Sequence, residues 1–243
     1  MLVDIGQGIV KSLEKGASDL GFKTSSSSFI PDAVLITHSH DDHVKELLVL
    51  VNKVNEEDES SRKSLKIFGT RECRDQVIKK FPQVSEIKSK NNRVSFNIVQ
   101  PDETFEVGPF AVMPILADHG DNSPPGSVIY IMKLLDKKVI IGWDFLSLPN
   151  ANQNLFWKPD LLILGTQTYN PHPQTGMISV SDAYDLVRIW NAKECYIVHY
   201  RGLLDFEEAS NQWFRGPVKA MTTDELQKVI RFTSSSHRRQ RQI

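Results

Sequence analysis

The amino-acid sequence predicts an α/β fold in which two β-sheets pack together between layers of helices. Three observations lead to this prediction. Short apolar runs first alternate with stretches of helical periodicity, then follow one another as a cluster of strands, and finally alternate with helical stretches again. A single doubly wound sheet would keep the alternation throughout, so the central cluster favours two sheets. The chain has 243 residues, of which 40% are hydrophobic, and this suits one domain of generous size.

The first half of the chain begins with what we interpret as the end of a buried strand, because residues 1–6 are largely apolar and have no polar lead-in. Further strands are predicted from short apolar runs, and helices from apolar residues at helical spacing. In chain order these elements are a helix at 9–20, a strand at 33–37, a helix at 44–54, a strand at 65–68 and a helix at 71–81.

The second half starts with the strand cluster and returns to alternation. The elements are strands at 93–99, 104–107 and 110–116, a hairpin of 128–134 and 138–141, a strand at 160–164, a helix at 181–190, a strand at 195–198 and a helix at 222–231. We expect one domain over residues 1–233. Residues 234–243 are polar and basic, and we predict a disordered tail there.

Composition excludes several classes of protein. The 29 basic and 30 acidic residues leave a net charge of -1, so no overall field attracts nucleic acid or an anionic membrane. Cys73 and Cys195 are too few for a disulfide framework or a cysteine-based zinc cluster. The sequence has no run of roughly 18 apolar residues and no signal peptide at its start. We therefore expect a soluble, cytoplasmic protein without a membrane partner.

One short motif carries the chemistry. His38, His40 and His43 lie within six residues of one another, together with Asp41 and Asp42, directly after a buried strand. Imidazole and carboxylate together suit zinc, iron or manganese. Without a metal, so many imidazoles and carboxylates packed together would be costly. The motif therefore predicts a metal site.

The pattern His-x-His-x-Asp-His, after an apolar strand and a Thr, resembles the metallo-β-lactamase superfamily of binuclear metallohydrolases. The resemblance covers essentially the whole chain, since Asp4 and Gly6 match that family's early Asp-x-Gly and the later candidate ligands each follow a predicted strand. It implies a four-layer αββα sandwich. It also implies seven metal ligands, with His38, His40 and His119 on one ion, Asp42, His43 and His199 on the other, and Asp144 bridging. Asp41 occupies a variable position of the motif and is not counted.

The resemblance further implies two divalent ions, with zinc favoured and manganese or iron also suitable. Such a pair shares a bridging hydroxide, which serves as the nucleophile, and Asp42 and Asp144 would support it as catalytic residues. His40 stands where the redox-active members have Glu, so an oxidoreductase is disfavoured. Asp144 stands where the antibiotic-hydrolysing members have Cys. These two positions point to the branch of phosphodiesterases, lactonases and thioesterases.

Within that branch, residues 161–166 and 175–183 resemble the ribonuclease Z and cyclic-phosphate phosphodiesterase group. That group has a His after the Gly that matches Gly176, but this chain has Met177. In relatives the His helps to orient or protonate the phosphate. His172 is a candidate substitute, and a solvent-facing loop histidine is an equal alternative. Arg201 is a candidate clamp for a phosphate oxygen, or a partner of a nearby acid.

Three functions follow from these observations. The first is a phosphodiesterase acting on a small molecule. The second is a hydrolase of lactones, thioesters or other carboxylic esters with the same site, which the missing His and the apolar Trp143 and Phe145 favour. The third is a non-catalytic metal-binding protein. The basic tail is a feature that suggests nucleic acid, but basic ends are usually solvated tails, and the loop at 55–66 is short and carries four acids. Nucleic acid is therefore a less favoured partner than a small molecule.

Relatives of this family have roughly two or three strands before the segment that matches residues 1–6. Their absence here leaves three alternatives open, namely a misassigned start, a fragment of a longer chain, or a sandwich with shortened amino-terminal strands. It also predicts an exposed edge of the first sheet, which leaves a homodimer open.

Overall fold

The structure is a computed structural model that describes residues 1–19, 30–56, 64–86, 93–149, 151–199 and 218–220. The helices are α1 (Ile9–Asp19), α2 (Asp41–Val44), α3 (Leu47–Glu56), α4 (Arg71–Lys80), α5 (Pro82–Glu86) and α6 (Val180–Trp190). The strands are β1 (Leu2–Val3), β2 (Ala33–Leu35), β3 (Leu65–Gly69), β4 (Val94–Ile98), β5 (Phe105–Val107), β6 (Phe110–Leu116), β7 (Val128–Leu134), β8 (Lys137–Gly142), β9 (Leu161–Gly165), β10 (Cys195–Val198) and β11 (Val218–Ala220).

The strands form two sheets, and chain order separates them. The first sheet has the order β1-β2-β3-β4, and all its pairs are parallel. The second has the order β11-β10-β9-β8-β7-β6-β5, with antiparallel pairs from β5 to β8 and parallel pairs from β8 to β11. Strands β6, β8, β9 and β10 consequently run in the same direction. Their carboxyl ends meet at one edge of the sheet.

Three hydrophobic cores show that the sheets and helices form four layers. Val34 packs on the helices that cover the first sheet, whereas its neighbour Leu35 packs between the two sheets. In the second sheet, Tyr130 faces the first sheet and Ile131 faces α6. This alternation is the period-two pattern of strands that are buried on both faces. The predicted α/β fold with two sheets between helices is confirmed.

Local signals explain several element boundaries. α6 starts with a reciprocal capping box, in which Ser179 accepts a hydrogen bond from the Asp182 N–H and the Asp182 carboxylate accepts one from the Ser179 N–H. It ends at Asn191, whose φ of 52° is the left-handed conformation common after a helix. At the start of α4, the Thr70 hydroxyl accepts a hydrogen bond from the Cys73 N–H.

The structure differs from the sequence-based prediction at three places. The end of the histidine motif is the short helix α2 rather than a loop, and α3 begins only at Leu47. The break lies at Glu46, whose carboxylate accepts hydrogen bonds from the N–H groups of Gly8 and Val10 at the start of α1. α5 and β11 were not predicted, because both are too short for a clear periodicity.

Other predictions are not decided by these elements. The helix at 222–231 and the tail at 234–243 lie outside the described residues. The two-residue strand β1 is at one edge of the first sheet, and whether this edge pairs with a second copy stays a prediction. In the described part of the chain, no helix has both the length and the apolar character needed to span a bilayer.

Candidate metal centre

The candidate ligands converge where the two sheets present the carboxyl ends of their strands. His38 and His40 follow β2 in the first sheet, and Asp42 and His43 lie in α2 just beyond them. From the second sheet, His119 follows β6, Asp144 follows β8 and His199 follows β10. Because the carboxyl ends of parallel strands share one edge, these separate segments reach the same place. The structure brings all seven predicted ligands together there in two groups.

The first group consists of His38, His40, His119 and Asp144, whose ligand atoms all lie within 4.8 Å of one another. Nε2 of His38 is 3.0 Å from Nδ1 of His40. Oδ2 of Asp144 is 3.6 Å from Nε2 of His38 and 3.6 Å from Nε2 of His119. Ligands about 2.1 Å from a tetrahedral zinc lie roughly 3.4 Å apart, so this spacing fits one ion.

The second group consists of Asp42, His43, His199 and again Asp144, with ligand atoms within 4.8 Å of one another. Oδ2 of Asp42 is 3.0 Å from Nε2 of His199 and 3.7 Å from Nε2 of His43. Oδ2 of Asp144 is 3.2 Å from Nε2 of His43 and 3.7 Å from Nε2 of His199. This group is the more open one, because the side chain of Asp42 is 60% exposed.

Unpaired buried polar atoms at the centre indicate whether its donor set suits a cation. Among the residues that the structure describes, Nε2 of His43, Oδ1 of Asp144 and Nδ1 of His199 are buried without a hydrogen-bond partner. Nε2 of His43 lies within 3.2 Å of Asp144, but without the geometry of a hydrogen bond. Buried polar atoms left unpaired are costly, and a divalent cation held by the second group would satisfy Nε2 of His43, which lies close to the carboxylates of Asp42 and Asp144. Five imidazoles with two carboxylates also match the donors that zinc, manganese and iron accept.

Hydrogen bonds behind the ligands fix which imidazole nitrogen faces the centre. Nδ1 of His119 lies 2.6 Å from the carbonyl oxygen of Gly176. A carbonyl can only accept, so Nδ1 carries the proton and Nε2 presents its lone pair to the first group. Nδ1 of His43 likewise donates to Oδ2 of Asp4, at 2.8 Å, and this leaves Nε2 for the second group.

Asp4 serves both groups. Its carboxylate accepts hydrogen bonds from the N–H and the hydroxyl of Thr37, each at 2.7 Å, in addition to the bond from His43. Since the Thr37 hydroxyl gives its proton to Asp4, its oxygen accepts from Nδ1 of His38 at 3.0 Å. One carboxylate therefore orients His43 directly and His38 through Thr37.

Burial and charge perturb the ionisation of these groups. Burial, reinforced by the neighbouring imidazoles, lowers the pKa of His38 well below its ordinary value. Burial would also lower the pKa of His43, but the carboxylates of Asp144 and Asp4 outweigh it and raise that pKa to about 10. Burial raises the pKa of Asp144, but the hydrogen bond and charge of His43 and the charges of His199 and His119 together outweigh it, so that the pKa lies below its ordinary value. Asp144 is therefore an anion at neutral pH.

The backbone around the centre is tightly constrained. Asp4 and His199, each directly after a strand, have positive φ values of 58° and 59°. Non-glycine residues seldom adopt this conformation, and such strain is common at functional sites. Gly6 approaches Asp42 so closely that a Cβ there would lie 1.9 Å from the Asp42 carbonyl oxygen. The Ile5 N–H also donates a hydrogen bond to the His43 carbonyl. These two contacts hold the segment after β1 against α2, the ligand helix that carries Asp42 and His43.

The other candidate residues that the structure describes are not part of either group. Asp41 is exposed and pairs with Lys80, which agrees with leaving it out of the ligand set. His172 is exposed in the loop before Gly176 and contributes to neither group. Arg201 lies outside the described residues. Phe145 was expected near the site, but it is 2% exposed and packs in the core beneath α6.

Two further side chains belong to the surroundings of the centre. Trp143 packs against the core between the sheets, and Met177 is buried. Sequence reasoning did not identify Lys80 at the end of α4, whose ammonium group donates hydrogen bonds to the Ser39 carbonyl and the Asp41 carboxylate between His38 and His43. It also did not identify the carbonyl of Gly176. Neither contact has a local sequence signal, because each joins segments that are distant along the chain.

Comparisons with known proteins agree with this architecture. The family model described as a beta-lactamase superfamily domain matches residues 26–200. No curated protein matches the sequence. A crystal structure of a new diphosphatase from the PhnP family superposes with a TM-score of 0.68 at 18% identity, over 90% of this chain and 76% of that chain. Identity at this level shows a shared fold.

Two further solved structures are similar at the level of the fold. The short form of human tRNase Z has a TM-score of 0.61 and 14% identity, over 90% of this chain and 84% of that one. Zn(2+)-bound PqqB from Methylobacterium extorquens has a TM-score of 0.59 and 14% identity, over 90% of this chain and 81% of that one.

Proposed function

This chain belongs to the beta-lactamase superfamily, and from that premise we propose that it is a binuclear metal-dependent hydrolase that cleaves phosphodiesters. One observation carries the proposal. Asp144 is common to both ligand groups, and its Oδ2 lies within 3.7 Å of imidazole nitrogens in each of them. A shared carboxylate between two sets of donors is the arrangement of a two-metal hydrolytic site rather than of a single structural ion.

The ligand roles in this proposal follow the two groups. His38, His40 and His119 would hold one ion, Asp42, His43 and His199 the other, and Asp144 both. Two divalent ions, with zinc favoured, would lower the pKa of water to supply a nucleophile at neutral pH and would stabilise negative charge on the substrate. The donor set also accommodates manganese or iron.

The chain's own residues prepare the site for this reaction. Asp4 and the Gly176 carbonyl orient His38, His43 and His119 so that Nε2 of each ring faces the ligand groups. Because the pKa of His43 is raised to about 10, this ring would release its Nε2 proton when a cation binds. Asp42 and His199 form the exposed side of the centre, with side chains 60% and 29% exposed. A substrate would therefore approach over the second group.

The choice of a phosphodiester rests on similarity and on one candidate residue. Two of the proteins with a similar fold are described as a diphosphatase and a tRNase Z, and both names denote enzymes that act on phosphate-containing substrates. In our proposal Arg201, two residues beyond His199, would bind a phosphate oxygen with its guanidinium group. His172 would assist from the loop that precedes Gly176. A small-molecule substrate is proposed in preference to nucleic acid, since the overall charge is close to zero.

A second candidate function is the hydrolysis of a lactone, thioester or other carboxylic ester at the same centre. The observation that favours it is Met177, which is 2% exposed and stands where the phosphodiesterase group has its histidine. A buried thioether can neither donate a proton nor bind an anionic oxygen well. Substrates that carry less negative charge than a phosphodiester have less need of such a group.

The test is to measure the metal content of the purified chain together with two hydrolytic activities. Bis-p-nitrophenyl phosphate and p-nitrophenyl acetate report on phosphodiester and ester cleavage, each with and without a chelator. We expect about two ions per chain and chelator-sensitive phosphodiester cleavage. Asp144→Asn should lower that cleavage by at least about a hundredfold. Asp136→Asn, an exposed aspartate in the β7–β8 turn, is the matched control and should leave it unchanged.

Other results would redirect the assignment. Two ions with ester cleavage alone would select the second candidate function. Two ions without any hydrolysis would indicate a metal-binding protein that is not an enzyme. A chain that takes up no metal, even after addition of zinc, would refute the binuclear centre.

A further inference from the structure

The ligand loop between His38 and His43 has a contact that comes from outside the centre. Lys80, the last residue of α4, donates one hydrogen bond to the carbonyl oxygen of Ser39 and another to Oδ1 of Asp41, both at 2.6 Å. Lys80 and these acceptors are about forty positions apart in the chain, and their meeting depends on the packing of α4 against the first sheet. The ammonium group therefore connects the outer helical layer to the ligand loop.

The Ser39 contact is the more informative of the two. Ser39 lies between His38 and His40, whose ring nitrogens are 3.0 Å apart in the first group. Ser39 is only 4% exposed, so water has little access to compete with Lys80 for a hydrogen bond to the Ser39 carbonyl. The Asp41 contact alone would be a surface ion pair of small effect, because the Asp41 side chain is 81% exposed. A charged donor on a buried carbonyl is stronger.

A different element holds both ends of the same loop. The segment after β1 contacts it through the bonds of Asp4 to Thr37 and His43, and through the close approach of Gly6 to Asp42. These contacts concern Thr37 and the ligand helix. Among the described contacts of the intervening turn, Lys80 is the side chain that bonds Ser39 and Asp41.

We propose that Lys80 is a positioning residue that holds the Ser39–Asp41 turn so that His38 and His40 are arranged for a metal before it binds. The inference rests on the proposed function, since it assigns Lys80 a role at that same centre. Lysine suits the role because its flexible stem reaches across from α4 and its ammonium group has three donors for two acceptors. Preorganised donors bind a metal more tightly because less order must be imposed during binding.

The experiment compares zinc affinity among four variants by competition with a chromophoric chelator. Lys80→Met keeps the apolar stem but removes every donor, and we expect its affinity for zinc to fall by about tenfold. Lys80→Arg keeps a charged donor and should remain within about threefold of the parent. Lys80→Gln, which retains a polar end at this surface position, guards against a folding defect in Lys80→Met. Lys79→Met, one residue earlier on α4 and exposed, is the matched control and should bind zinc as the parent does.

Thermal unfolding of the metal-free proteins separates positioning from general stability. Lys80→Met leaves the buried Ser39 carbonyl without its donor, so its metal-free midpoint should fall by about 2–12 °C. A positioning role predicts the tenfold loss of zinc affinity at a temperature where the metal-free variant is still folded. Parental affinity in both Lys80→Met and Lys80→Gln would overturn the inference, as would an equal loss in Lys79→Met. If the parent itself binds no zinc, the proposed binuclear centre fails, and that result is distinct from failure of the Lys80 inference.

Discussion

Replacement of Gly6 by alanine tests the close contact that ties the segment after β1 to the ligand helix. The new Cβ would lie 1.9 Å from the carbonyl oxygen of Asp42 and 3.0 Å from its carbonyl carbon. Since a carbon and an oxygen in contact are about 3.3 Å apart, the two backbones must separate by about 1.4 Å. That movement would stretch the bond from the Ile5 N–H to the His43 carbonyl, which is 2.7 Å long.

The strain should appear in both stability and metal binding. Overpacking of this kind typically costs about 1–3 kcal/mol, which corresponds to a fall of about 2–12 °C in the unfolding midpoint of a chain of this size. Because Asp42 and His43 belong to the second ligand group, that group should lose about tenfold or more in metal affinity. The first group, which does not include them, should lose less.

Gly16→Ala is the matched control and should shift stability in the opposite direction. Gly16 lies inside α1, and a Cβ there would meet nothing within 4 Å. Alanine is the better helix former by roughly 0.5–1 kcal/mol, so the midpoint should rise. Both variants can be measured by circular dichroism in chelator, followed by metal analysis after dialysis against zinc. A Gly6→Ala protein that unfolds at the parental temperature and keeps two ions would refute the reasoning.

Three further outcomes are expected. Asp4→Asn removes the charge that His43 and Thr37 share, so zinc affinity in a chelator competition should fall by about 10–100-fold, and parental affinity would contradict the orienting role. Removal of zinc from the loaded protein with a chelator should lower its unfolding midpoint, since a ligand at 100 times its Kd adds about 2.7 kcal/mol to the free energy of unfolding. A midpoint that is the same with zinc and with chelator would argue against binding to the folded state. Ser179→Ala removes the hydroxyl that caps α6 through Asp182 and should cost about 1 kcal/mol in urea unfolding, with metal content unchanged.

The ligand set illustrates what a sequence can predict and what it cannot. The ligands after β2 are neighbours in the chain, so their proximity follows from the motif. His119 and His199 were placed by resemblance and by their positions after strands, and the common edge of the second sheet explains why that placement leads to convergence. Lys80 contacts the loop only because α4 packs where it does, and no periodicity reports that.

The fold likewise has elements that local sequence predicts and elements that depend on contacts between distant segments. Strands with long apolar runs, such as β6 and β7, were predicted at their observed bounds. The break between α2 and α3 was not, because apolar spacing continues through it. The interruption depends on Glu46, whose side chain is used by the first turn of α1 rather than by its own helix. Such use of a side chain by a distant segment overrides local propensity.

The order of the two sheets along the chain has a consequence for how the molecule would come apart. The first sheet is complete by Ile98 and the second begins at Phe105. Each ligand group takes two donors from the first part of the chain and two from the second, with Asp144 counted in both groups. An ion bound by either group would therefore cross-link the segments that follow the strands of the two sheets. If the two sheets separate before their own strands do, we expect the ions to be released at that step, while the strands within each sheet are still hydrogen-bonded to one another.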